Sequence, residues 1–170
     1  MCNPLISIAL SHFQHGRLFA AVDQFRRRFS MQYEPLASET AMLASAGDLQ
    51  RLDYFLLRAF ETEEIWTLKQ GNQWFSREVI LPGHDPVIAM PLWPYRKMAL
   101  DAALDVWDDC RPEATSLEYF MEELVPSFIV SGIQLDVMPR EDRPGCLITA
   151  EKLNSILEGI MDAGEYRLDG

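Results

Sequence analysis

Apolar residues in this chain recur at two different periods, and the change between them falls just after Glu64. Before that point the spacing is helical. In RLFAAVDQFRRRF, Leu18, Val22, Phe25 and Phe29 return every three or four residues, with Arg26 to Arg28 mostly off the stripe. SETAMLASAG reads as a short helix capped by Ser38 and stopped by Gly47. LQRLDYFLLRAFETEE then sets Leu49, Leu52, Phe55, Leu56 and Phe60 on one face, with Asp48 as the expected cap.

After Glu64 the period is two. Ile65, Thr67 and Lys69 oppose Trp66 and Leu68, which predicts a strand, and QGNQ supplies a tight connection into a second strand, QWFSREVIL. PGHDP is a turn, and VIAMPLW a third strand, apolar enough to lie inside a sheet.

That third strand runs into PLWPYRKMALDAALDVW, residues 91 to 107. Pro91 and Pro94 lack an amide proton, so the strand is expected to end there, and Pro94 suits the first turn of a helix. Behind it Tyr95, Met98, Ala99, Ala102, Ala103, Val106 and Trp107 form one stripe, with Arg96, Lys97, Asp101, Asp105 and Asp108 mostly off it. Trp93, between two prolines at a strand-to-helix corner, has two readings: a ring buried against the following helix, or a rigid contact for a partner. Trp107 is expected in the core.

In TSLEYFMEELVP, Thr115 with Glu118 three residues on reads as a capping box, and Pro126 interrupts the pattern before SFIVSG stops at Gly132. IQLDVMP alternates, with Gln134 and Asp136 opposite Ile133, Leu135 and Val137; REDRPG is a turn and CLIT a short strand. Thr149 caps a last helix along Leu153, Ile156, Leu157 and Ile160. The expected architecture is α+β: a roughly five-stranded, largely antiparallel sheet with helices mainly on one face. Residues 1–47 are read as a helical extension packed on a domain of residues 48–163, and 164–170 as a frayed tail.

At 170 residues, 48% hydrophobic and 24% charged, the chain has the balance of an ordinary globular domain with one core. Its net charge of -11 repels phosphate, which argues against nucleic acid or an anionic membrane as partner. The charge is uneven: residues 1 to 30 carry +3, from four arginines against Asp23, which leaves -14 for the remainder. Cys2, Cys110 and Cys146 are far apart without a CxxC, which fits a reducing cytoplasm. MCNPLISIALSHFQHGR lacks the basic start of a signal peptide, and no apolar run approaches the length of a spanning helix.

The motifs that carry chemistry are thin. His12-x-x-His15 is a bare pair, short of the three or four convergent ligands a metal needs. Cys110 follows WDD, whose carboxylates raise a thiol's pKa. There is no glycine-rich phosphate loop and no G-x-S-x-G. Asp108-Asp109 and Glu122-Glu123 are adjacent pairs, but neighbours on a helix diverge by about 100° and read as a wet face. No catalytic, cofactor-binding or metal-binding residue is assigned.

YFLLRAFETEEIWTL, PLWPYRKMALDAALDVW, SLEYFMEELVPSFIVSGIQLDVMP and the T-x-E-x-L helix start at Thr149 together resemble the bacterial family numbered 2750 among the domains of unknown function, over roughly residues 50–161. The W-x-L after a helix and the P-L-W-P are the most specific parts. REVILPGHDPVIAM is longer than the hairpin usual in that family. More loosely, the order of elements looks like the amino-terminal module of serine-sensitivity-enhancing proteins, a module shared with some immunity and secretion-associated proteins. The resemblance implies a small bacterial α+β protein and transfers no catalytic residue.

The expected function is a non-enzymatic, immunity- or adaptor-like binding module whose acidic surface meets a basic protein, with Trp93, Asp101, Asp105 and Asp108 as candidate contacts and no cofactor. The alternative is an enzyme using carboxylates that spacing does not identify.

Overall fold

The alternation that starts at Ile65 builds β1 (Glu64–Gln70), the strand to which the rest is tied. The computed structural model describes residues 34–163 except 106, 141 and 142. Residues from Pro35 onward form one unit. The expected helix at 17–30 and the tail at 164–170 lie outside the described residues.

Among the described residues, two helices precede β1: α1 (Ala37–Ser45) and α2 (Asp48–Thr62). Their caps differ from the expected ones by a residue or two. Leu36 rather than Ser38 caps α1, its amide donating to Glu39 Oε2 at 2.8 Å. Gly47 rather than Asp48 caps α2, its amide donating to Gln50 Oε1 at 3.0 Å. In both, a side chain reaches back to satisfy an orphan amide, half of a capping box, which needs no hydroxyl at the cap.

β1 turns at Gly71-Asn72 into β2 (Gln73–Trp74), and on its other edge pairs along its whole length with β5 (Cys110–Ser116), from Glu64↔Ser116 to Gln70↔Cys110. This strand was absent from the sequence reading. Its second sheet is β3 (Arg77–Val79), β4 (Val87–Leu92), β6 (Gln134–Val137) and β7 (Cys146–Thr149), in that spatial order. The β4–β6 pair is parallel and the others antiparallel. The single five-stranded sheet expected from sequence is thus corrected to two sheets, of three and four strands. The reason lies in QWFSREVIL, which is not one strand. Phe75 still donates to Leu68 at 2.9 Å, and after Ser76 the chain leaves β1 and pairs with β4 instead.

The sheets meet at one bridge, Trp66↔Trp93, through reciprocal amide-to-carbonyl bonds of 2.8 Å each. β4 also runs through Pro91 rather than stopping at it. Backbone groups alternate sides along a strand, so Pro91 and Trp93 share the β1 side, beyond the end of the short β3. There Pro91 has no ladder amide to supply, and its carbonyl accepts from Thr67 Oγ1 at 2.7 Å.

α3 (Arg96–Asp105) follows the corner and buries Ala99 and Ala103. Ser116, not Thr115, caps the next helix, its Oγ accepting from the Tyr119 amide at 3.1 Å, because the helix begins only at Leu117, where β5 ends. That helix is continuous from α4 (Leu117–Tyr119) through a π-turn (Phe120–Leu124) to α5 (Val125–Ser131). Pro126 neither donates nor tolerates a normal preceding turn, and the wider turn just before it lets the helix continue. It ends at Gly132, left-handed at φ 66, with Ile133 donating back to Phe128 at 3.0 Å. α6 (Ala150–Ala163) is capped by Thr149, which accepts from Lys152 at 3.3 Å. Phe55, Ile65, Leu68, Leu92, Phe120 and Leu135 are fully enclosed; each contributes roughly 1.5–3 kcal/mol by leaving water. Leu43 and Ala46 join the same core, so α1 packs with the domain.

Candidate interaction surface

The corner at Pro91–Pro94 is interior. Trp93 is 3% exposed, its backbone held by Trp66 and its ring edge-on to Trp107, with centroids 5.9 Å apart. It presents no ring to a partner, and of its two readings the buried one fits the coordinates. Trp107, expected as core, is only half-buried: it packs on Phe75 at 5.5 Å and carries the Arg77 guanidinium 5.0 Å above its face.

Arg77 leads to a buried carboxylate. Asp136, expected on the face opposite Ile133, Leu135 and Val137, is 0% exposed. Its Oδ2 accepts from Arg77 Nη2 at 2.8 Å and its Oδ1 from the Gly145 amide at 2.7 Å. Leu135, Asp136 and Val137 are consecutive and all buried, so both faces of β6 are covered and alternation no longer separates core from water. Gly145 has to be glycine: a first side-chain carbon would lie 2.0 Å from the Val137 carbonyl oxygen. One residue past β6, Met138 adopts a left-handed φ of 53, and its carbonyl accepts from Arg51 Nε at 3.1 Å and Nη2 at 2.8 Å. Arg51 Nη1 donates to Leu43 O at 2.8 Å. Burial, and then the nearby Arg140 guanidinium, pull Arg51 below its ordinary pKa, yet an arginine stays charged at neutral pH. Arg140 in turn donates to Asp48 at 2.9 Å and to the Ala46 carbonyl. These contacts tie α1, α2 and β6 together, although Nε of Arg77 and of Arg140 is buried without a hydrogen-bond partner.

A second polar cluster joins Arg58 to Glu39 and Glu61, beside Tyr54 and Tyr95. Burial pushes both phenols up, Tyr95 further through Tyr54, so neither serves as a base near neutrality. Burial works against the Arg58 charge, but Glu61 and Glu39 outweigh it and raise its pKa. Cys110 is pushed up to about 11, first by burial and then by Asp109, and Cys146 is raised chiefly by burial. Neither thiol is an activated nucleophile. Among the described residues, no group of three or more His, Cys, Asp or Glu could hold a metal ion.

What remains is surface. Asp101 is exposed and paired with Lys97 at 2.8 Å one helical turn away; Asp105 is the last residue of α3; Asp108 is exposed just beyond it. Trp93 therefore lies in the interior, and Asp101 and Asp108 lie at the surface. The helix from 117 to 131 has an outward stripe that sequence reading took simply as a wet face. Glu118, Tyr119, Glu122, Glu123, Pro126 and Val130 are all exposed on it. The signal in the sequence was the apolar residue placed where the stripe should be polar: Val130 is 89% exposed.

Among the described residues no helix is long and apolar enough to cross a membrane. No curated protein and no solved structure matches the chain. The family model described as "Protein of unknown function (DUF2750)" matches residues 52–157, from the buried face of α2 through the stripe to the buried face of α6, and the chain belongs to that family.

Proposed function

We propose that this domain is a non-enzymatic, immunity- or adaptor-like protein-binding module that meets a basic partner through its carboxylates. The observation that carries the reading is how the charges are distributed. Arg51, Arg58, Arg77 and Arg140 are engaged by carbonyls and carboxylates within the fold. Asp53, Glu78, Asp108, Glu118, Glu122 and Glu123 face water. Among the described residues, exposed carboxylates outnumber the exposed cations Arg96, Lys97, Arg111, Arg143 and Lys152, so the surface is acidic.

The end of α3 adds to this. Asp105 and Asp108 stand at the negative end of the helix, with no basic residue in its last turn. A carboxylate just past that end costs about 0.3–1 kcal/mol, so helix stability does not account for Asp108. Complementary charge on a partner does, since it offsets that cost and speeds encounter. Asp101, Asp105 and Asp108 are the contacts proposed on this element. The test is affinity capture from the native cell at low and at high salt. A basic partner released by salt supports the reading; an acidic partner, or capture indifferent to salt, contradicts it.

A further inference from the structure

We infer that the outward stripe of the 117–131 helix is a docking face for a partner segment that carries lysine or arginine between two apolar anchors. The inference rests on the reading of the domain as a protein-binding module and assigns it a second surface, apart from the end of α3.

Exposure along this helix repeats every four residues at Glu118-Tyr119, Glu122-Glu123, Pro126-Ser127 and Val130-Ser131, joined at the last turn by Ile129. In an ordinary α-helix a four-residue repeat drifts around the axis, because each turn takes 3.6 residues. The π-turn at Phe120–Leu124 uses more residues per turn and takes up part of that drift. Opposite the stripe, Leu117, Phe120, Leu124, Val125 and Phe128 are buried. The stripe is apolar at its ends and acidic between them. Tyr119 is 49% exposed, and Val130 and Ile129 are 89% and 40% exposed. Eleven residues of helix separate Tyr119 from Val130, which is about 16 Å at 1.5 Å per residue.

Helix stability explains only part of this composition. Glu118 sits in the first turn, where a carboxylate is favoured. Glu122 and Glu123 lie beyond it. Val130 is β-branched, a weaker helix former than alanine or leucine, and at the surface it gains no packing. Aromatic and aliphatic side chains rimmed by charge are the makeup of a surface that becomes buried on association. The carboxylates decide the occupant: a basic segment complements Glu122 and Glu123, whereas an acidic segment is repelled by a chain that is already at -11.

The probe is a synthetic helical peptide with lysines between two leucines eleven positions apart, added to the full chain at low salt and followed by amide chemical shifts. Shifts concentrated at 117–131, with affinity falling at least tenfold in Glu122→Gln/Glu123→Gln and again in Val130→Ser, support the docking face. A peptide of the same charge without leucines should bind at least tenfold more weakly. Shifts centred on 101–109, with the stripe variants unaffected, overturn this inference and leave the acidic-module reading standing. No binding of either peptide overturns both. Self-association abolished by Val130→Ser also overturns it, since the occupant is then a second copy.

Discussion

The Trp93 corner and the far end of β6 both mark where a strand stops, yet opposite materials hold them. At the corner, Trp66 and Trp93 exchange backbone bonds between sheets, and apolar rings and alanines close around them. At the end of β6, the same task falls to ions: Asp136 between Arg77 and Gly145, and Arg51 on the Met138 carbonyl. An apolar corner tolerates imprecise partners, because dispersion and burial have little direction. A buried carboxylate does not, since a lost partner leaves an uncompensated charge. The first arrangement should therefore respond to volume and the second to the identity of single atoms.

The largest expected effect tests the corner. Trp93→Ala should cost about 3–5 kcal/mol, as truncation of enclosed aromatic rings does, read from denaturant midpoints. A variant that unfolds with the wild type would mean that the ring supports nothing. At the β6 end the two halves of one ion pair should be unequal. Arg77→Met leaves the Asp136 charge fully enclosed with one amide for company, and should cost about 3–5 kcal/mol. Asp136→Asn keeps the shape, and the part-exposed Arg77 can turn to water, so about 1–3 kcal/mol is expected. Equal costs would contradict the claim that the enclosed partner sets the penalty.

The smallest effect is one of pH. Burial acts to raise the Glu39 pKa, but the Leu36 amide and Arg58 outweigh it and hold the carboxyl below its ordinary value. A depressed folded pKa contributes stability that is present above the unfolded glutamate value, about 4.3, and lost as pH falls through the folded one. Glu39→Gln should lower stability at pH 7 by less than about 1 kcal/mol and flatten the acid limb of the stability profile below about pH 4. An unchanged acid limb would show that this clamp between α1 and α2 is not formed in solution.

The same contrast explains what could be read in the sequence. The α2 stripe from Leu52 onward (Leu49, expected on it, is 73% exposed), the hairpin at Gly71-Asn72, the interior strand 87–92, the stop at Gly132 and the cap at Thr149 are local matters of period and turn chemistry. β5 was missed because Pro112 and Glu113 do not look like a strand, and an edge position makes them acceptable. Phe75 occupies the Leu68 carbonyl on the β2 side, so Pro112, opposite Leu68, turns its missing donor to the open edge. Alternation places Asp136 opposite Leu135 but does not show its burial, because its partner, Arg77, lies 59 residues away. Of the candidate contacts, the three aspartates were found by charge alone, and Trp93 by shape alone. Burial, a property of the whole fold, separates Trp93 from the exposed Asp101 and Asp108. No periodicity flagged the 117–131 stripe, because the π-turn that aligns it follows from Pro126 in three dimensions.

The central claim is that Trp66 and Trp93 form the seam on which both sheets depend, so that this corner is architecture. Native-state amide exchange measures it directly, since both amides donate in that one bridge. The Trp66 and Trp93 amide protons should exchange only through global unfolding, in the slowest class of the domain, while Gly71 and Asn72 at the hairpin tip exchange freely. Exchange of the two tryptophan amides at the rate of the hairpin tip, with Thr67 and Leu135 still protected, would contradict it: the sheets would then be opening at the seam while each remained folded.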